Sequence, residues 1–335
     1  YWEPDKAPYE TMLDNYERGL TIAACDEFFA ALRQKLVPLI HRVTAHADRV
    51  DDAPLHADFP IPIQREFSDF VMDVMGIDRS HCTIGETEHP FTINFSRDDV
   101  RITTHYHADM VASSLFSVIH EGGHALYELH TGRELARSNL GTGVSMGIHE
   151  SQSRFYENII GRSRAFCSVI YPWLKEHFAP RLDHVTEDDF YRMINKSEPS
   201  LIRTEADELT YCLHIMVRYE LEKRMFDGSL TAHDRQGVLQ DSHWANGNIG
   251  YFPSYAIGSA YGAQYLQEMS KDLDVDAVVR SGDLTPINNW LEDRIWKHGC
   301  MKDPVALFES VCGKFDPDCY VAYLEKKFTE VYGLS

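Results

Sequence analysis

A mainly α-helical fold with one small β-sheet is what this sequence predicts, on three observations. Eight long stretches set apolar residues three and four positions apart, the period of an amphipathic helix. Residues 81–106 break that period and alternate instead. Gly76, Gly132 and Gly228 close three of the helical stretches, where a left-handed C-terminal cap suits glycine.

In chain order, residues 9–19, 26–47 and 62–76 read as the first three helices. The stretch "HCTIGETEHPFTINFSRDDVRITTHY" is rich in threonine, isoleucine and phenylalanine and reads as two or three short strands. Residues 112–132 return to a helical period, and residues 147–178 carry one long helical pattern. Three further helices follow at 205–228, 256–273 and 316–333. No repeat, low-complexity tract or Ser/Gly linker interrupts them, so residues 1–335 read as a single domain.

The composition, 44% hydrophobic and 25% charged, is that of an ordinary globular chain. A formal charge of -20 repels phosphate backbones and anionic membrane surfaces, so neither nucleic acid nor a membrane is an expected partner. No apolar run approaches the roughly 18 residues of a membrane span, and "YWEPDKAPYE" lacks a signal-peptide pattern, so a cytoplasmic protein is expected. Seven scattered cysteines without a CxxC pair read as reduced packing thiols.

"SVIHEGGHALYE" carries the chemistry. At about 100° per residue, His120 and His124 share one helix face one turn apart, so both imidazoles can reach one ion. Glu121 is rotated about 60° from His124, placed for a water molecule rather than for ligation. HExxH also occurs by chance. Gly122 and Gly123, however, each cost about 1 kcal/mol against alanine in a helix, so a neighbouring helix or a substrate strand must approach that backbone.

A catalytic ion needs a third ligand and an open position. His130 completes an HEGGHALYELH spacing, but Tyr127 stands where the related HExxHxxGxxH pattern has its turning glycine. Without that turn His130 points about 120° from His124 and lies about 9 Å further along. Glu150, reached through the glycine-rich return "TGRELARSNLGTGVSMG", is the better candidate; taken alone it also reads as a solvated carboxylate at a helix N-terminus.

Six ordered motifs, "HPF" at 89–91, "DVRIT" at 99–103, "HEGGH" at 120–124, "HESQ" at 149–152, "IRTEAD" at 202–207 and "GYFPSY" at 250–255, span the chain. Together they resemble the M32 metallocarboxypeptidases, the thermostable carboxypeptidase family. The resemblance implies a helical zincin-like fold, His120, His124 and Glu150 as metal ligands, and Glu121 as the base that activates water. It also implies removal of single residues from peptides with a free C-terminus, and a homodimer. Members of that family carry a further N-terminal helical segment that helps wall the groove, and the sequence at hand is expected to lack it.

Zn²⁺ is the default for two imidazoles and a carboxylate, with Co²⁺ and Mn²⁺ as alternatives. Tyr255 is the first choice for a donor to the developing oxyanion and His243 the second; Tyr251 lies in the same stretch. Arg203 is the first choice for the substrate's terminal carboxylate, with Arg101 as the alternative. His89 and Phe91 are expected to shape the cleft wall, and the strand "DVRITTHY" to offer an edge to an extended peptide. Two rival functions share these residues: an endo- or oligopeptidase with both groove ends open, and a noncatalytic metal-binding module.

Overall fold

The computed structural model describes residues 4–230 and 241–334. Helices α1 (Pro8–Asp14), α2 (Ile22–Thr44) and α3 (Ile61–Met75) open the chain. Strands β1 (Cys82–Glu86), β2 (Thr92–Ser96) and β3 (Asp99–Thr104) follow. Next come α4 (Val111–Leu129), α5 (Met146–Arg154), α6 (Arg164–His177), α7 (Glu187–Ile194) and α8 (Glu208–Phe226). The chain ends with α9 (Ser242–Ala245), α10 (Phe252–Met269), α11 (Val275–Arg280), α12 (Thr285–Arg294), α13 (Pro304–Cys312) and α14 (Pro317–Tyr332).

Local chemistry sets many of these boundaries. Thr21 caps α2 by accepting from the Ala24 amide, and Ser145 caps α5 by accepting from the Ile148 amide. Asp207 takes the Leu209 and Thr210 amides at the start of α8. Gly76 and Gly228 adopt φ of +76° and +78°, as expected of terminal glycines. Gly132 does not: α4 ends at Leu129 with His130 as its C-cap, and Gly132 sits at φ −53° entering a short 3₁₀ turn.

The long pattern over residues 147–178 is divided. After α5 the backbone widens into a π-helical turn over Phe155–Ile160. The chain then breaks, and Ser163 caps α6 by accepting from the Phe166 amide. Five elements, α7, α9, α11, α12 and α13, have no counterpart in the sequence reading.

The sheet order is β1-β3-β2, with β1 parallel and β2 antiparallel to β3. β3 is therefore central, both of its edges are taken, and the expected peptide edge on "DVRITTHY" does not exist. The free edges belong to β1 and β2. β2 packs on α4, and α5 is sandwiched between α4 and α10. Both α5 contacts depend on glycine. A Cβ on Gly123 of α4 would lie 2.7 Å from the Gln152 carbonyl oxygen and 2.8 Å from Ser153 Cα, and one on Gly258 of α10 would lie 2.6 Å from Glu150 Cβ. The body approaching Gly123 is thus a neighbouring helix, and Glu150 arrives beside the two histidines because of it. No helix among the described residues is long and apolar enough to cross a membrane. All seven cysteines are unpaired.

Candidate metal centre and cleft

His120 and His124 project from one face of α4 toward Glu150 of α5. Glu150 Oε2 lies 3.7 Å from His120 Nε2 and 3.8 Å from His124 Nε2. One ligand atom from each of the three residues falls within 4.8 Å of the others. Metal–ligand bonds of about 2.0–2.1 Å in a tetrahedron set donor atoms roughly 3.3 Å apart, so an ion needs the carboxylate gaps to close by only a few tenths of an ångström. The donor set therefore fits a divalent ion.

The two imidazoles are held from behind. His120 Nδ1 lies 2.8 Å from Glu157 Oε2, so in the neutral ring the Nδ1 hydrogen donates there and the Nε2 lone pair faces Glu150; burial works against charge on His120, but Glu157 raises its pKa above the ordinary value. Burial opposes charge on Glu157, but Arg154, His120 and Arg162 together hold its carboxyl well below the usual range. His124 Nδ1 meets His149 Nδ1 at 2.8 Å. Burial, with His149 and His120 adding to it, pushes His124 well below the ordinary histidine value and keeps it neutral, as ligation requires. Glu150 itself accepts from Ser153 Oγ at 2.9 Å and from the Tyr251 hydroxyl at 3.2 Å.

Glu121 is buried beside this group and accepts from Thr92 Oγ1 of β2 at 2.5 Å. Burial raises its carboxyl above the usual range, in the direction a general base near neutrality needs. All four residues line a cleft of about 1180 Å³, spacious enough for a short peptide.

The other candidates divide. His89, Tyr251, Tyr255 and Arg203 line the same cleft. Arg203 is buried, its Nε on Asp241 Oδ1 at 2.6 Å and its Nη1 on the Tyr211 hydroxyl at 3.1 Å; Nη2 has no partner among the described residues. His243 is not in the cleft wall but behind it, its Nε2 2.8 Å from the Tyr255 hydroxyl. Its Nδ1 is buried without a partner, and a bare lone pair is tolerated there better than an orphaned N–H. His243 Nε2 therefore donates to Tyr255, so the phenol's own hydrogen is not used on His243. Arg101 is corrected: it is exposed, forms a two-bond pair with Asp99 at 2.9 Å each, lies over the Phe95 ring, and does not line the cleft. His130 turns away, its Nδ1 on the Leu126 carbonyl at 2.7 Å. Sequence reasoning missed Glu157, Glu128, Thr92 and Asp241, which hold the site residues across long sequence separations that no spacing rule marks.

Comparison with known proteins identifies relatives of the chain. A family model described as Carboxypeptidase Taq (M32) metallopeptidase matches residues 1–234 and 231–328. Carboxypeptidase 1 of Bacillus subtilis is 39% identical over 354 residues, covering 99% of this chain and 71% of that protein. Thermostable carboxypeptidase 1 of Thermus thermophilus is 38% identical, covering 97% of this chain and 68% of its own length. Among solved structures, an M32 carboxypeptidase from Deinococcus radiodurans superposes with a TM-score of 0.93 at 35% identity, over 98% of this chain and 70% of that one. The chain belongs to the M32 family and is a metallocarboxypeptidase.

Proposed function

We propose that the enzyme removes single residues from the free C-terminus of peptides, with His120, His124 and Glu150 as the ligands of a Zn²⁺ ion and Glu121 as general base. The supporting observation is the meeting of the three ligand atoms beside a buried carboxylate in one cleft. When bound, the ion supplies Lewis-acid polarisation of the scissile carbonyl and acidifies a water molecule. Glu121, fixed by Thr92, accepts the water's proton and delivers it to the leaving amine. Tyr255, oriented by His243, donates to the oxygen on which negative charge develops. Arg203 offers Nη2 to the terminal carboxylate while Asp241 and Tyr211 hold the rest of the guanidinium. The substrate backbone adds to the free edge of β2, whose Thr92 and Asn94 reach into the cleft.

The deciding experiment compares one peptide as the free acid and as the C-terminal amide. Hydrolysis of the acid alone, releasing one residue at a time, supports the reading. Equal cleavage of both forms supports an endopeptidase instead, and metal retention without hydrolysis of either form supports a binding module. Metal analysis of protein loaded in turn with Zn²⁺, Co²⁺ and Mn²⁺ tests the choice of ion.

A further inference from the structure

His149 stands beside Glu150 on α5, and both of its ring nitrogens are engaged. Nδ1 lies 2.8 Å from His124 Nδ1, and Nε2 lies 2.7 Å from Glu128 Oε1. Glu128 follows His124 by one turn on the same face of α4. Its carboxylate also accepts from Thr142 Oγ1 at 2.8 Å, the Gly143 amide at 3.0 Å and Asn94 Nδ2 at 2.7 Å. Surrounded by these donors, it acts only as an acceptor.

With both rings neutral, that surrounding sets the position of each hydrogen along the chain. A 2.8 Å contact between two ring nitrogens holds one hydrogen, on one side or the other. If His149 Nδ1 carried it in a neutral ring, His149 Nε2 would be bare and would set a lone pair against the Glu128 carboxylate. His124 would then carry its own hydrogen on Nε2 and could not ligate. With the hydrogen on His149 Nε2, donated to Glu128, His149 Nδ1 is bare and accepts from His124 Nδ1. The His124 Nε2 lone pair then faces Glu150. An ionised carboxylate two hydrogen bonds removed thus selects the ligand's tautomer and aims its ring.

We infer that His149 and Glu128 are positioning residues that lock His124 in its ligating tautomer, with Asn94 anchoring the chain of hydrogen bonds to β2. This rests on the reading of His120, His124 and Glu150 as ligands. β2 thereby braces the centre twice: Thr92 holds the base, and Asn94 holds the support of a ligand.

The test is Zn²⁺ affinity measured by competition with a chromophoric chelator, together with the visible spectrum of the Co²⁺-loaded protein. Outer partners of metal-bound histidines are typically worth about 10–100-fold in affinity, so His149→Phe is expected to weaken binding by that factor and to alter the Co²⁺ bands. His149→Asn, whose amide oxygen can still accept from His124, is expected to recover most of the loss, which a purely packing role for the ring would not allow. Unaltered affinity in His149→Phe overturns the inference, provided Glu150→Ala has lost the metal. If Glu150→Ala also binds normally, the ligand assignment itself falls. If His149→Phe does not fold, Glu128→Gln carries the test: a weaker site supports the inference, and an unchanged one overturns it.

Discussion

In the proposed mechanism turnover rests on Glu121, because the candidate ligands lack a group free to move a proton. Glu121→Gln keeps the size and the Thr92 contact but removes the base, so kcat is expected to fall about 10²–10⁴-fold with metal content unchanged. Parallel kinetics and metal analysis of the variant check this. Glu17 presents the opposite case, a carboxylate with no place in the chemistry. It is buried and accepts from the Gly147 amide at 3.0 Å in the first turn of α5, while its Oε1 has no partner. The Ser145 side chain and that bond favour its charge, but burial outweighs them and lifts its pKa to about 7. With the folded value raised above the unfolded one, its contribution is fully present below about pH 4.5 and is lost as pH rises toward 7. Glu17→Gln is expected to remove that decline, roughly 3 kcal/mol in all, which urea unfolding at pH 5 and pH 8 measures. At this scale the sequence marked residues whose proposed role follows from local spacing or motif, such as His120, His124 and Glu121. It hid Glu157 and Glu128, whose partners are brought to them by helix packing. Arg101 misled because a carboxylate two residues away on the same strand face captured it.

Elements meet at this centre only as closely as two adjacent glycines permit, and the two are not equivalent. A methyl on Gly123 would strike the backbone of α5 at Gln152 and Ser153, which cannot move without carrying Glu150 away. A methyl on Gly122 would meet the ends of Met75 and Ile77, which can rotate aside. Gly123→Ala is therefore expected to cost about 1–3 kcal/mol of stability and to weaken metal binding. Gly122→Ala should be close to neutral, its overpacking offset by about 1 kcal/mol of helix propensity. Denaturant midpoints and chelator competition on the pair separate the cases; equal losses would mean that α5 contact is not what makes Gly123 special. The long periodic helices were legible because burial of one face writes itself into spacing. The division after Arg154 was not, since the π-helical turn over Phe155–Ile160 interrupts the geometry without interrupting the apolar pattern. The central place of β3 was equally hidden, because alternation marks a strand but not its neighbours.

Among the described residues one cluster of buried side chains runs from Tyr9 in α1 to Tyr332 in α14 and includes both α4 and α5. The helices that carry the candidate ligands are thus part of the main core rather than of a peripheral flap, and we propose that the described residues unfold as one domain. An ion that binds the folded state alone stabilises it by RT ln(1 + [L]/Kd), about 2.7 kcal/mol at a hundredfold excess over Kd. Because α5 is held on one side by α4 and on the other by α10, that stabilisation should reach the whole core and not stop at the cleft. Calorimetry of the metal-loaded protein is expected to show a single transition. Removing the metal with a chelator should move all of it to lower temperature without splitting it, and Glu150→Ala should melt at the lower temperature whether or not metal is added. A second transition that ignores the metal would show that the site and the remainder of the core are separate cooperative units, joined in space but not in stability.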